Sequence, residues 1–203
     1  MYNRYLITNQ TGQGLLEAIV AVAVILVGVV SLVALSQSSV TTSNSNAYRL
    51  TAVNLAREGV EAVRAIRDNN WLAGKDSNWD DGLKDLANPL LSIFKAIPVL
   101  DTGNENVDGV WTLNFNSSLT LNSDVAKLKR LGVLYIQSNP AVVGADSGFS
   151  RILELTSISC PLDWDEICAE GKIGIKVVSK VQWQEGGQKK SISVEDWLYN
   201  WRF

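Results

Sequence analysis

The residue whose type and setting most need a chemical explanation is Glu17. It stands at the N-terminal edge of an 18-residue run without charge, Ala18 to Leu35 (AIVAVAVILVGVVSLVAL), in which only Gly28 and Ser31 fall outside the strongly apolar set. A carboxylate inside hydrocarbon costs on the order of 2.5–3.5 kcal/mol on insertion scales, so its retention implies a specific role. Gly12 lies five residues before Glu17, and no charge separates them.

Other chemistry is narrowed by what the chain contains. There is no histidine, which excludes a histidine-based triad, a zinc site of the histidine type and a histidine general base. With 18 basic and 21 acidic residues the net charge is −3, so no overall basic field exists to attract nucleic acid. Cys160 and Cys168 enclose the short loop Cys-Pro-Leu-Asp-Trp-Asp-Glu-Ile-Cys. Two cysteines without a second pair make a poor metal site. A disulfide is expected, worth roughly 2–3 kcal/mol and suited to an extracytoplasmic compartment.

Asp76, Asn78 and Asp80 alternate like the start of a calcium loop. The glycine falls at Gly82 instead of directly after Asp80, and the closing position is Ala87, so a solvated acidic loop is expected. Trp197, Tyr199, Trp201 and Phe203 alternate near the C-terminus. On one face of a strand they would stack on sugars or bases, or else form core, and core is the expectation. No nucleophile–base pair and no cofactor motif is present, so neither an enzyme nor a cofactor is expected.

The elements that position these groups follow from periodicity. As a helix the apolar run covers roughly 27 Å, close to the thickness of a bilayer core, which places a transmembrane segment at 15–35. No glycine or proline interrupts residues 29–58. Beyond the Ser/Thr/Asn-rich stretch 37–46, Val53, Ala56, Val60, Val63 and Ile66 or Arg67 recur at spacings of three and four, one face of a second helical stretch. Glu61 and Arg64 can pair along it. One helix over 13–67 is expected, its first half in lipid and its second packed on a head, with a weaker polar middle. Asp68-Asn69-Asn70 should end it, because their side chains compete for backbone hydrogen bonds.

Residues 73–109 read as loop, with a short helix in 83–97 broken at Pro89. Strands are predicted at 110–115, 119–121, 133–137, 149–159, 172–184 and 190–203, rich in β-branched and aromatic residues. Glu185-Gly-Gly-Gln188 is a hairpin signal between the last two. Ile173, Ile175, Val177, Ser179, Val181 and Trp183 share one face of the penultimate strand, opposite Lys172, Lys176 and Lys180. The fold class is therefore α+β: a long N-terminal helix, transmembrane in its first half, and an antiparallel β-sheet head at 68–203.

Gly12, the uncharged spacing to Glu17 and the length of the apolar run together resemble the class III signal of the type IV pilin and pseudopilin family. The segment from Asn54 to Trp71 also resembles the helix end of pilin-like proteins. The resemblance implies a leader at 1–12, removed by prepilin peptidase between Gly12 and Gln13, and N-terminal methylation of Gln13. Glu17 becomes the fifth residue of the mature chain, paired with the amine of a neighbouring subunit. Loss of Arg4 with the leader would take the net charge to −4. The implied partners are other pilin subunits, the inner-membrane assembly machinery and membrane lipid. The implied location is the inner membrane, with a single pass and the head outside the cytoplasm, and a cell-surface filament after assembly. Four alternatives stand beside a pilus subunit. They are a pseudopilin of a type II secretion system, a membrane-anchored adhesin or sugar-binding module, a secreted protein cut after Ser36 to begin at Gln37, and a plain single-span anchor in which Glu17 has no role.

Overall fold

A computed structural model describes residues 11–75, 78–86, 92–101, 109–137, 144–159 and 172–200. The chain divides into two compact units, Met1–Ala47 and Tyr48–Phe203.

The first unit contributes the leading part of helix α1 (Thr11–Leu72). Its large apolar side chains from Leu15 to Leu35 are all more than half exposed. An apolar helix without protein cover is not the core helix of this chain. It is long and apolar enough to cross a membrane, and it lies near the N-terminus. The helix continues through the polar stretch, where no glycine or proline interrupts it, and hydroxyls along it turn back onto its own carbonyls. Thr41 Oγ1 donates to the Gln37 carbonyl at 3.0 Å, as Ser31 Oγ does to Val27 at 2.8 Å.

The second unit packs residues 48–72 of α1 against an antiparallel sheet of seven strands: β1 (Ile93–Asp101), β2 (Val110–Phe115), β3 (Lys127–Leu131), β4 (Leu134–Gln137), β5 (Ala145–Ser159), β6 (Lys172–Glu185) and β7 (Gln188–Tyr199). β5 is the spine. One edge pairs along its length with β6, which pairs with β7. The other edge is shared by two hairpins: β3–β4 beside the start of β5, through Lys127↔Ser150 and Arg130↔Ala145, and β1–β2 beside residues 153–156. Gly186 and Gly187 take φ of 57° and 80° in the two-residue β6–β7 turn, a conformation that favours glycine at both positions.

Alternation on β5 and β6 decides the core. Leu153, Leu155, Ile175 and Val177 meet Val60, Val63 and Ile66 of α1 in one buried cluster. Phe149, Val181 and Trp183 meet Ala52, Leu55 and Ala56 in a second. Each fully buried side chain of this kind contributes about 1.5–3 kcal/mol. The expected helix face is thus largely present, though Val53 is only half-buried and Ala52 and Leu55 carry that end.

Several expectations are corrected. The helix runs five residues past Arg67, because Asn70 directs its amide away from its own backbone, donating to the carbonyls of Trp79 (3.0 Å) and Asp81 (2.9 Å). The helix closes instead in a glycine cap. Gly74, at φ 73°, donates to Trp71 O, and Lys75 N donates to Asn70 O. The helix expected within 83–97 gives way at Ile93 to β1. Pro98 fits this strand because β5 pairs β1 only as far as Ala96, so a residue without an N–H is accommodated beyond that point. Leu119–Leu121 is not a strand. Asn116 and Ser123 side chains hold it in turns, bonding the amides of Ser118 and Thr120. β3 was not expected at all.

Candidate functional site

Three places combine exposure or burial with chemistry. The first is the start of α1. Gly12, Gln13 and Glu17 all fall within its first two turns, and Gln13 and Glu17 are exposed. Among the described residues no basic side chain pairs with Glu17, and the next basic residue along the chain is Arg49. The arrangement is a carboxylate on an uncovered apolar helix, available to a partner outside this chain.

The second is a buried polar cluster between α1 and the sheet. Arg151 is 1% exposed on the inward face of β5. Its Nη1 donates to the Leu55 carbonyl at 2.8 Å and lies 3.5 Å from Glu58 Oε1, and its Nε donates to Gln137 Oε1 at 3.1 Å. Gln137 Nε2 donates to the carbonyls of Ala126 (2.9 Å) and Arg151 (2.5 Å). Burial pushes the Arg151 guanidinium below its ordinary pKa, and Glu58 opposes that shift. The cluster joins α1, β4 and β5, with Arg151 and Gln137 buried and Glu58 at its partly exposed edge, and it ties helix to sheet. It was missed in the sequence. The available signal was an arginine at an inward position of the alternating run Phe149, Arg151, Leu153, Leu155.

The third is the outer face of β7. Leu198 takes the inward position at 2% exposure, so strand parity turns Trp197 (53%) and Tyr199 (41%) outward. The expectation that this aromatic stripe is core is therefore wrong for both, while Trp201 and Phe203 lie outside the described residues. Lys176, opposite Trp197 in register, places Nζ 5.7 Å from its ring centroid and pairs with Glu195 at 2.9 Å. The inward-facing Asp196 pairs with Arg64 of α1, while its other oxygen accepts the Trp197 N–H at 2.8 Å.

A cavity of about 510 Å³ opens beside the end of α1, with Ile66, Trp111, Leu113 and Phe115 as apolar wall and Asn69, Lys84 and Asp85 as polar rim. Of the acidic loop, Asp76 lies outside the described residues, and Asp80 pairs with Lys84 at 2.9 Å. Among the described residues no group of three or more acidic or cysteine side chains is placed to hold a metal. Cys160 and Cys168 lie outside the described residues. No family model, no curated protein and no solved structure matches the chain.

Proposed function

We propose that this chain is a pilin-like structural subunit of a type IV pilus or related filament. Prepilin peptidase removes residues 1–12 between Gly12 and Gln13. The first half of α1 then holds the subunit in the cytoplasmic membrane, with the head outside. Assembly into a filament with other pilin subunits proceeds helix to helix. The observation that carries this reading is Glu17, a carboxylate with no partner among the described residues, at the edge of an apolar helix without protein cover. A neighbour's N-terminal amine at the same depth offsets the cost of burying that charge only when two helices are in register, so the pair selects register. A pseudopilin of a secretion machine uses the same device, and that reading shares every step up to assembly.

The test is Glu17→Ala. Membrane insertion should be unchanged or slightly better, since a costly group is gone, and cleavage before Gln13 should continue. Recovery of the subunit in sheared surface filaments should fall sharply. Filament incorporation equal to wild type would remove Glu17 from this role.

One observation favours a second reading, a membrane-anchored adhesin or sugar-binding module: Trp197 and Tyr199 are exposed on one face of β7. Exposed rings stack on sugars. Glycan binding lost in Trp197→Ala, with the fold retained, would support it.

A further inference from the structure

The last strand of the sheet leaves one edge open. β7 follows β6 through a two-residue turn, so Glu185 and Gln188 form a hydrogen-bonded pair, and the register runs unbroken to Gly174↔Tyr199. Even-numbered residues of β7 therefore turn their N–H and C=O toward β6, and odd-numbered ones turn theirs away. Asn200, whose N–H reaches the Ile173 carbonyl at 2.9 Å, fixes the same parity from the other end. The odd-numbered residues Lys189, Ser191, Ser193 and Glu195 are all exposed. Among the described residues no group accepts their amides.

Beyond Glu195 the chain closes this edge with its own side chains. The Asp196 carboxylate accepts the Trp197 N–H at 2.8 Å, and Arg67 Nη1 donates to the Tyr199 carbonyl at 3.5 Å. The Gly186–Gly187 turn ends the edge on the other side. What stays open is 189–195, roughly 20 Å of regular strand without proline or bulge. Its outward charges are balanced about Ile192, with Lys189 before it and Glu195 at the same spacing after it. Glu195 Oε2 pairs with Lys176 at 2.9 Å, which leaves its other oxygen free to accept. Lys189 Nζ donates to the neutral amide of Asn122 at 2.7 Å and keeps two further N–H donors. Lys190, on the other face, is paired with Glu185 at 3.1 Å.

We infer that residues 189–195 of β7 pair antiparallel with the same edge of a second copy, about a two-fold axis at Ile192. In that register Lys189 stands opposite Glu195 of the second copy and Ser191 opposite its Ser193, with both pairs repeated by symmetry. All of these are edge-facing residues, so every amide left open finds a carbonyl across the axis. Charge selects the occupant. A lysine on an edge discourages unselected strands, and an antiparallel copy answers each Lys189 with a glutamate. A parallel copy in register would set Lys189 beside Lys189. The pair is isologous and closes at two copies, and so short an edge makes a weak, reversible contact. It lies wholly within the second unit and does not depend on helix-to-helix assembly.

Residue-resolved amide exchange of the full chain in mild detergent, dilute against concentrated, tests this. The amides of Lys189, Ser191, Ser193 and Glu195 should exchange roughly tenfold slower once about nine copies in ten are paired. Those of Lys190, Ile192 and Val194, already held by β6, should be slow in both samples and report the fold. Lys189→Glu and Glu195→Lys should each weaken pairing about tenfold, and the double variant should restore it. Ser193→Pro removes one edge amide without touching the β6 ladder and should abolish the slowing. Edge amides that exchange equally fast at every concentration would overturn the inference. So would association that leaves them fast, which would place the contact on α1. Slowing already complete in the dilute sample would mean that the edge is covered within its own chain. A double variant no better than either single one would contradict the register and, with it, the second copy as occupant.

Discussion

Gly59 of α1 and Ser179 of β6 lie so close that a Cβ at position 59 would stand 2.7 Å from Ser179 Oγ and 2.9 Å from Leu153 Cδ2. Helix and sheet approach here with no room for a side chain, which makes glycine necessary despite its helix propensity cost of about 1 kcal/mol. Ser179 Oγ is buried and has no hydrogen-bond partner. Gly59→Ala should therefore destabilise the head by about 1–3 kcal/mol. Ser179→Ala alone should be neutral or stabilising, and should recover part of the Gly59→Ala loss in the double variant. Chemical denaturation in mild detergent, read as a double-mutant cycle, measures the coupling.

Arg151 should be among the costliest single truncations in the head. Arg151→Ala leaves a cavity and strands Gln137 Oε1 among buried groups, a loss of about 3–5 kcal/mol. Arg151→Met keeps most of the volume and should cost less. Equal midpoints for wild type and Arg151→Ala would show that the cluster holds nothing.

The Arg64–Asp196 pair ties α1 to the last strand, and Asp196 also occupies the Trp197 N–H. Both side chains are about a third exposed, so Asp196→Ala should cost only about 1 kcal/mol. Its larger effect should be on association, because among the described residues β7 pairs only with β6 and the Trp197 N–H loses its acceptor. Light scattering in mild detergent should show stronger concentration-dependent association in the variant than in wild type.

On the acid side, the hydrogen bond from Lys75 holds the Asp81 carboxyl below its ordinary pKa. A lowered carboxyl contributes stability above its unfolded pKa and loses it as pH falls through the folded value. Lys75→Met should therefore reduce stability at neutral pH and converge with wild type in strong acid. A difference that grows toward low pH would contradict the assignment.

How far the sequence could be read depended on whether periodicity or tertiary pairing determined each element. The apolar run, the α1 core face and the Lys172–Glu185 alternation are local patterns, and helix and strand follow them. β1 was hidden because a proline, Pro98, reads as a break, and only the end of the β5 pairing at Ala96 makes it tolerable. β3 was hidden because Lys-Leu-Lys-Arg-Leu shows a single buried residue, Leu128. Trp197 and Tyr199 were expected in the core, and parity with the buried Leu198 turns both outward. At the candidate site, Gly12, Gln13 and Glu17 were legible as a spacing, whereas Arg151 and Gln137 meet only through strand pairing.

The most direct test of the filament-subunit proposal is the mass of the N-terminal peptide from native protein in membranes or sheared filaments. The account predicts a chain beginning at Gln13 and carrying one added methyl group, with Gly12→Val leaving residues 1–12 attached. A native chain beginning at Gln37 would mean a conventional secretory signal, and one still beginning at Met1 a plain membrane anchor; either would contradict it.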